Sequence, residues 1–231
     1  MSKLSIIIPV YNEKETILKL LDKVDGVDFG NTEKEVIIID DCSTDGTKAI
    51  LQSIQYKYKV IFHEKNFGKG LAIRTGLKRA SGDWVVIQDA DLEYDPEDLK
   101  LLLNKIQTIG VLAVYGSRRL RKKLNKQHSG FFFAVGGIFL TFLTNLLYQT
   151  KITDEATCYK MFRTDLLKSI NLQCQRFEFC PEVTAKIAKR KIKIYEVPVS
   201  YHPRHKSEGK KINFQDGLEA IWTLVKYKFV S

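Results

Sequence analysis

Asp89-Ala90-Asp91 sets two carboxylates one residue apart, directly after the apolar run Trp84–Ile87. Where the backbone turns at the end of a strand, both side chains can reach one cation. Hard divalent ions such as Mg²⁺ or Mn²⁺ take oxygen ligands, commonly a few carboxylates together with substrate phosphates. A metal bridging a diphosphate neutralises the charge that grows on a leaving group as its bond breaks. Glu93, two residues on, is placed to join as a third ligand or to accept a hydrogen bond beside the metal. Taken alone, a D-x-D string is also what an acidic surface turn looks like.

A second acidic cluster, Asp40-Asp41-Cys42-Ser43-Thr44-Asp45, follows another apolar run, Val36–Ile39. A carboxylate at such a point can hold a nucleobase or ribose. Asp41, Ser43 or Asp45 can equally cap the following helix. Asn66-Phe67-Gly68-Lys69-Gly70 puts glycines and a lysine at a strand-to-helix turn without Walker spacing. The glycines there suit close packing at a helix start, and Lys69 can approach a phosphate. Neither the four histidines nor the four cysteines show metal-ligand spacing,. The cysteines read as reduced thiols, and no Ser-His-Asp order stands out.

These clusters need a frame to bring them together, and the first half of the chain supplies one. Short apolar runs at Leu4–Ile8, Val36–Ile39, Val60–Phe62, Trp84–Ile87 and Val111–Tyr115 alternate with helical patterns at 13–24, 44–54, 70–80 and 96–105. That alternation predicts an α/β fold with a doubly wound, mostly parallel sheet and helices on both faces. Ligands on such sheets bind beyond the carboxyl ends of the strands. Tyr11-Asn12-Glu13, Asp40-Asp41, Asp89-Ala90-Asp91 and Gly116-Ser117-Arg118 all fall just past predicted strands, which gathers the candidate chemistry at one edge.

After Arg118 the character changes. Arg118, Arg119, Arg121, Lys122, Lys123 and Lys126 form a basic run, and Phe131–Tyr148 follows as an apolar helix with Thr141, Thr144, Asn145 and Tyr148 along one stripe. Three roles fit the segment 129–149: a core helix, a helix lying in a membrane interface, or a span. The remainder reads as helices at 166–170, 181–189 and 214–227, a strand at 192–197, and a basic loop at 201–211. With 37 basic and 27 acidic residues the chain carries a net charge of +10. Such an excess predicts an anionic partner. Its basic residues cluster beside a hydrophobic helix rather than along a groove, which argues against nucleic acid. Met1 leads straight into a strand-like segment, which predicts no signal peptide and a cytoplasmic protein, peripheral on a membrane.

Taken in order, the strings Pro9-Val10-Tyr11-Asn12-Glu13, Asp40 to Thr47, Asn66 to Gly70, Asp89-Ala90-Asp91-Leu92, Gly116-Ser117-Arg118, Thr153-Asp154, Glu196 to Tyr201 and Glu208 to Lys211 resemble the family-2 glycosyltransferases. Within that family the likeness is to the dolichol-phosphate mannosyltransferase-like, polyprenyl-phosphate branch, over residues 4 to 226. The resemblance implies a GT-A fold and inverting transfer from a UDP- or GDP-sugar. It implies one glycosyltransferase domain over 1–231, with residues 1–118 as the nucleotide-sugar half and 119–231 as the acceptor half. By motif, Pro9, Tyr11, Glu13, Asp40 and Asp41 hold the nucleoside, Asp89, Ala90 and Asp91 the metal and donor, with Glu93 beside them. Lys69, Arg118, Arg204 and Lys210 meet phosphate oxygens. The chain departs from the pattern after Thr153-Asp154, where Glu155-Ala156-Thr157-Cys158 replaces the usual small residues.

Two acceptors fit this reading. A polyprenyl phosphate at the cytosolic membrane face is already an anionic nucleophile, so position, metal and cations suffice. A saccharide, protein or other hydroxyl acceptor needs a base, for which Asp154 is the candidate. An NAD-linked oxidoreductase is excluded because Pro-Val-Tyr-Asn-Glu, not a glycine fingerprint, follows the first strand. A silent binding module is disfavoured by the intact Asp89 and Asp91. The particular sugar, the choice of Mg²⁺ or Mn²⁺ and the oligomeric state are not encoded legibly.

Overall fold

Ile6, Ile7 and Ile8 in succession carry no exposed surface, although neighbouring residues of a strand point to opposite faces,. Both faces of this strand must therefore be covered, as in parallel sheets flanked by helices. The computed structural model, which describes residues 2–121, 131–204 and 213–230, shows that cover. Seven strands form one sheet: β1 (Ser2–Val10), β2 (Thr32–Asp40), β3 (Lys59–Phe62), β4 (Trp84–Ile87), β5 (Ala113–Ser117), β6 (Lys160–Arg163) and β7 (Ile194–Pro198). Their order is β3-β2-β1-β4-β6-β5-β7.

Leu4, Ile6, Ile8 and Val10 pack against α1 (Ile17–Gly26) and α4 (Leu99–Ile106). Ile7, Ile37 and Ile39 pack on the other face against α3 (Lys69–Arg79) and α7 (Phe179–Lys189). Each fully buried Ile contributes about 1.5–3 kcal/mol relative to exposure. Gly76 lets α3 lie close to the sheet, since a Cβ there would stand 2.6 Å from Ile7 Cγ2.

β1 pairs in parallel with β2 on one side and β4 on the other, so the chain reverses its direction of winding at β1. A crevice opens at such a switch point. Strand β6 runs antiparallel between β4 and β5 and was not expected. It is short and begins at Lys160, whose side chain is nevertheless buried, and α6 (Thr164–Ser169) follows it directly. Helix α2 (Thr47–Ser53) begins three residues later than its composition predicts, with Asp45 Oδ1 accepting from Thr47 N at 3.0 Å. Ser43 is used elsewhere, and α1 likewise starts at Ile17 rather than Glu13.

Helix α5 (Phe131–Tyr148) is turned the opposite way from a water-facing amphipathic helix. Its polar stripe faces the domain: Thr141 Oγ1 accepts from Glu155 N, Asn145 donates to Ile152 O, and Tyr148 OH donates to Leu224 O. Its apolar residues Ile138, Phe139, Phe142 and Leu146 face outward, between 50% and 63% exposed. Beside it packs α8 (Phe214–Phe229), through Leu140, Leu143, Ala220 and Leu224. Among the described residues, no helix is long and apolar enough to cross a membrane. The expected basic loop is described only as far as Arg204, and Lys122, Lys123, Lys126 and Lys210 lie outside the described residues.

Candidate active site

Strand β4 delivers Asp89 to the crevice, and the chain reverses at once. Leu92 takes a left-handed φ of 62°, while Asp91 Oδ1 accepts from Glu93 N at 3.0 Å. This closes an aspartate-type turn around the buried Ala90,. Cations approach the two carboxylates from different elements. Lys69 Nζ, at the start of α3, lies 2.5 Å from Asp89 Oδ1. Arg204 Nη2 lies 3.5 Å from Asp91 Oδ2 and 2.9 Å from Glu13 Oε1, bridging the end of β1 to the turn after β4.

The electrostatics separate the two aspartates. Burial raises the pKa of Asp89, but Lys69, Cys158 and Arg204 together outweigh it and hold the carboxyl below its ordinary value,. Burial also raises Asp91, and the charges of Asp89 and Glu93 add to it, pushing it up to about 7. Crowded buried carboxylates of this kind suit a divalent cation, and their oxygens are the hard donors Mg²⁺ and Mn²⁺ prefer. Among the described residues, no three His, Cys, Asp or Glu side chains are arranged to hold a metal ion. Glu93, expected as a ligand or neighbour of the metal, has both oxygens engaged. Oε2 accepts from Tyr201 OH and Oε1 from Arg204 N, each at 2.8 Å. It fastens the 201–204 segment over the site.

On the nucleoside side, β4 stops before Pro9, so the missing proline N–H removes no ladder bond toward it,. Tyr11 and Asn12 follow at the lip, and Asn12 locks the two loops together by donating its N–H to Ser43 Oγ and accepting from Thr44 N. Asp40 is fully buried. Its Oδ2 accepts from Ser43 N, while Oδ1 has no hydrogen-bond partner among the described residues. A buried acceptor left open costs free energy unless a ligand donor meets it. Asp41, by contrast, is saturated: it binds His63 Nδ1 and accepts from Phe67 N and Gly68 N. It shapes the glycine turn that presents Lys69.

On the other flank, Arg118 Nε and Nη2 each lie 2.7 Å from the oxygens of Asp154. Burial raises the Asp154 pKa, but Arg118 outweighs it and holds the carboxyl low. Arg118 also stacks over the Tyr201 ring at 4.9 Å,. Glu196, whose role the sequence does not disclose, accepts from the N–H groups of Thr153 and Asp154 and so sets their position. Its place in the Glu196–Tyr201 string was the available signal. Cys158, whose Sγ lies 3.2 Å from Lys69 Nζ, carries no sequence signal of its own, and Lys160 Nζ donates to Glu155 O. The structure therefore brings Glu13, Lys69, Asp89, Asp91, Glu93 and Arg204 together, and holds Arg118 with Asp154 as a separate pair.

Residues 5–170 match the family described as glycosyl transferase family 2. A UDP-N-acetylglucosamine–dolichyl-phosphate N-acetylglucosaminyltransferase of Methanococcus voltae is 28% identical, over 96% of this chain and 95% of that protein. A dolichol-phosphate mannosyltransferase of Pyrococcus furiosus is 31% identical over 98% of this chain, which spans 64% of that protein. Among solved structures, glucosyl-3-phosphoglycerate synthase of Mycobacterium tuberculosis, bound to Mn²⁺, UDP and phosphoglyceric acid, superposes with a TM-score of 0.75 at 20% identity, covering 100% of this chain and 80% of that one. With this fold beneath it and the family profile across most of its length, the chain belongs to glycosyl transferase family 2 and is a glycosyltransferase of the GT-A fold.

Proposed function

We infer that the protein transfers a hexose from a UDP- or GDP-sugar to a polyprenyl phosphate, with inversion, at the cytosolic face of a membrane. The observation that carries this is the junction of Asp89 and Asp91 with Lys69, Glu13 and Arg204 at the switch point of the sheet. It is a site with oxygen ligands for a cation and cations for a diphosphate. The names of the relatives support a lipid-phosphate acceptor.

In this reading residues 1–118 hold the donor. Asp40 Oδ1 accepts from the nucleoside, with Pro9, Tyr11 and Glu13 around it. Asp89 and Asp91 hold Mg²⁺ or Mn²⁺, which, when bound, offsets the charge of the departing nucleoside diphosphate. Lys69 and Arg204 leave their carboxylate partners for phosphate oxygens; Arg204 suits a two-point contact and Lys69 a point charge. An acceptor phosphate oxygen bonds to the anomeric carbon as that carbon's bond to the diphosphate breaks. The electron pair leaves with the nucleoside diphosphate. Because the acceptor is already ionised, no proton has to be removed. Asp154 held low by Arg118 fits this, since a carboxylate so stabilised is a poor base,.

The outward apolar residues of α5 support docking on a bilayer. So does α8, whose Phe214, Leu218, Trp222 and Phe229 are between 53% and 82% exposed along one side,. The test is an assay with UDP- and GDP-hexoses, with and without Mg²⁺ or Mn²⁺, and with and without a short polyprenyl phosphate. Sugar appearing in the organic phase only when metal and lipid are both present is the expected result. Metal-dependent transfer to a hydroxyl acceptor, with no lipid product, would refute it.

A further inference from the structure

We propose that the groove between α5 and the 119–120 and 152–153 segments seats the acceptor, with Arg119, and not Arg118, taking its phosphate. This rests on the lipid-phosphate reading above and locates it on the molecule.

The groove has a volume of about 470 Å³. Leu120, Ile138, Phe142 and Ile152 supply apolar walls, and among the described residues Arg119 is its one charged lining residue. The two neighbouring arginines are in opposite states. Arg118 is committed to Asp154 by two 2.7 Å bonds. The guanidinium of Arg119 has no hydrogen-bond or ion-pair partner among the described residues, and it lies over Gly137, where an added Cβ would approach Nη2 to 3.6 Å. A half-buried guanidinium in an apolar groove, without a counterion among the described residues, is a site for an oxyanion such as a phosphate, whose oxygens its fork of N–H donors can meet two at a time.

Place and shape then choose among anions. Thr153 lines the groove and is bonded through its hydroxyl to Ser117 Oγ at 2.6 Å, so the groove begins one residue from both Arg118 and Asp154. At its other end Ile138 and Phe142 also belong to the outward apolar face of α5, 54% and 60% exposed. A ligand with a phosphate at one end and a hydrocarbon chain at the other matches this path from the active site to the membrane-facing helix. A small phosphorylated acid would meet Arg119 but leave the apolar walls wet.

The test compares wild type, Arg119→Ala, Arg119→Lys and Ile138→Glu on a polyprenyl phosphate and on 3-phosphoglycerate, with acceptor and donor KM read separately. Ile138 is exposed, so its replacement spares the core. For Arg119→Ala we expect the lipid KM to rise at least tenfold, with kcat and donor KM moving less than threefold. Arg119→Lys recovers part of the loss, and Ile138→Glu raises the lipid KM alone. An unchanged lipid KM in Arg119→Ala would overturn the assignment. Transfer to 3-phosphoglycerate as efficient as to the lipid would overturn the lipid occupant. If the wild type transfers to neither, the functional reading itself has failed.

Discussion

Lys69 and Asp89 face each other across the mouth of the sheet, Nζ 2.5 Å from Oδ1, and Cys158 Sγ stands 3.2 Å from the same ammonium. The lysine thus neutralises the carboxylate that a metal would need. Removing it as Lys69→Met should free Asp89 and tighten Mn²⁺ binding about tenfold in the absence of donor, a change of about 1.4 kcal/mol. The same variant should lose at least tenfold in kcat/KM for the nucleotide sugar, having lost a phosphate-facing cation. Manganese titration followed by electron paramagnetic resonance measures the first effect and steady-state kinetics the second. Weaker Mn²⁺ binding in Lys69→Met would show that the lysine does not compete for the metal position. Asp89→Asn should lose both metal and transfer while keeping its circular dichroism.

How this pair arises also marks what the sequence can disclose. The strand-end positions of Asp40, Asp89 and Ser117 follow from apolar runs of four or five residues, and period and length are local properties. Lys69 was legible as a cation near phosphate. Its pairing with Asp89 was not, because it depends on how Asp41 binds Phe67 N and Gly68 N from another loop. Arg204 reaches Glu13 across 191 positions, and no spacing rule spans that distance. Strand β6 escaped for a different reason. A buried Lys160 contradicts the usual burial preference and is tolerated because its Nζ donates to Glu155 O and lies 4.0 Å from the Tyr115 ring centroid,. The α5 stripe was legible, but which side met the domain was a tertiary fact.

The Arg118–Asp154 pair makes an asymmetric stability prediction. The Asp154 side chain is 1% exposed and that of Arg118 is 22%. Arg118→Met leaves a buried carboxylate without its bonded partner, with Lys160 the remaining favourable charge, and breaking a buried pair in this way typically costs about 3–5 kcal/mol. Asp154→Asn leaves a guanidinium that water can reach, and should cost clearly less. Urea midpoints for the two variants check this, and equal losses would contradict it. Arg118→Lys should restore only part of the stability, since an ammonium cannot span both carboxylate oxygens.

Membrane docking divides between two helices, and each can be tested alone. Phe142 is 60% exposed on α5 and Phe214 78% exposed on α8. Neither belongs to the packed cluster between the helices, so acidic substitutions there should spare the fold. Burying such a side chain in lipid is worth about 1.5–3 kcal/mol. Phe142→Asp and Phe214→Asp should therefore each lower partitioning onto vesicles containing anionic lipid by about tenfold or more. Sedimentation measures the loss. In the unaltered chain, Trp222 emission should shift to the blue when vesicles are added, and vesicles that leave both readings untouched would remove the docking surface.

Glu155 gives a pH signature unrelated to catalysis. It is fully buried, and neither carboxylate oxygen has a hydrogen-bond partner among the described residues. Burial, only partly offset by Lys160, pushes its pKa up to about 7 from 4.5,. The sign follows from which state holds the proton. Below pH 4.5 both folded and unfolded chains are protonated, and the group contributes nothing. Between 4.5 and 7 the unfolded chain ionises while the folded one does not, so stability falls as pH rises. Above 7 both are ionised and the penalty is constant, on the order of 3 kcal/mol. Glu155→Gln removes this dependence while keeping the shape. It should match the wild type near pH 4.5 and exceed it by about 1–3 kcal/mol at pH 8, the amide retaining some desolvation cost. Denaturant unfolding at the two pH values measures the difference. A variant that is no more stable at pH 8 would mean that Glu155 is already stabilised as a carboxylate.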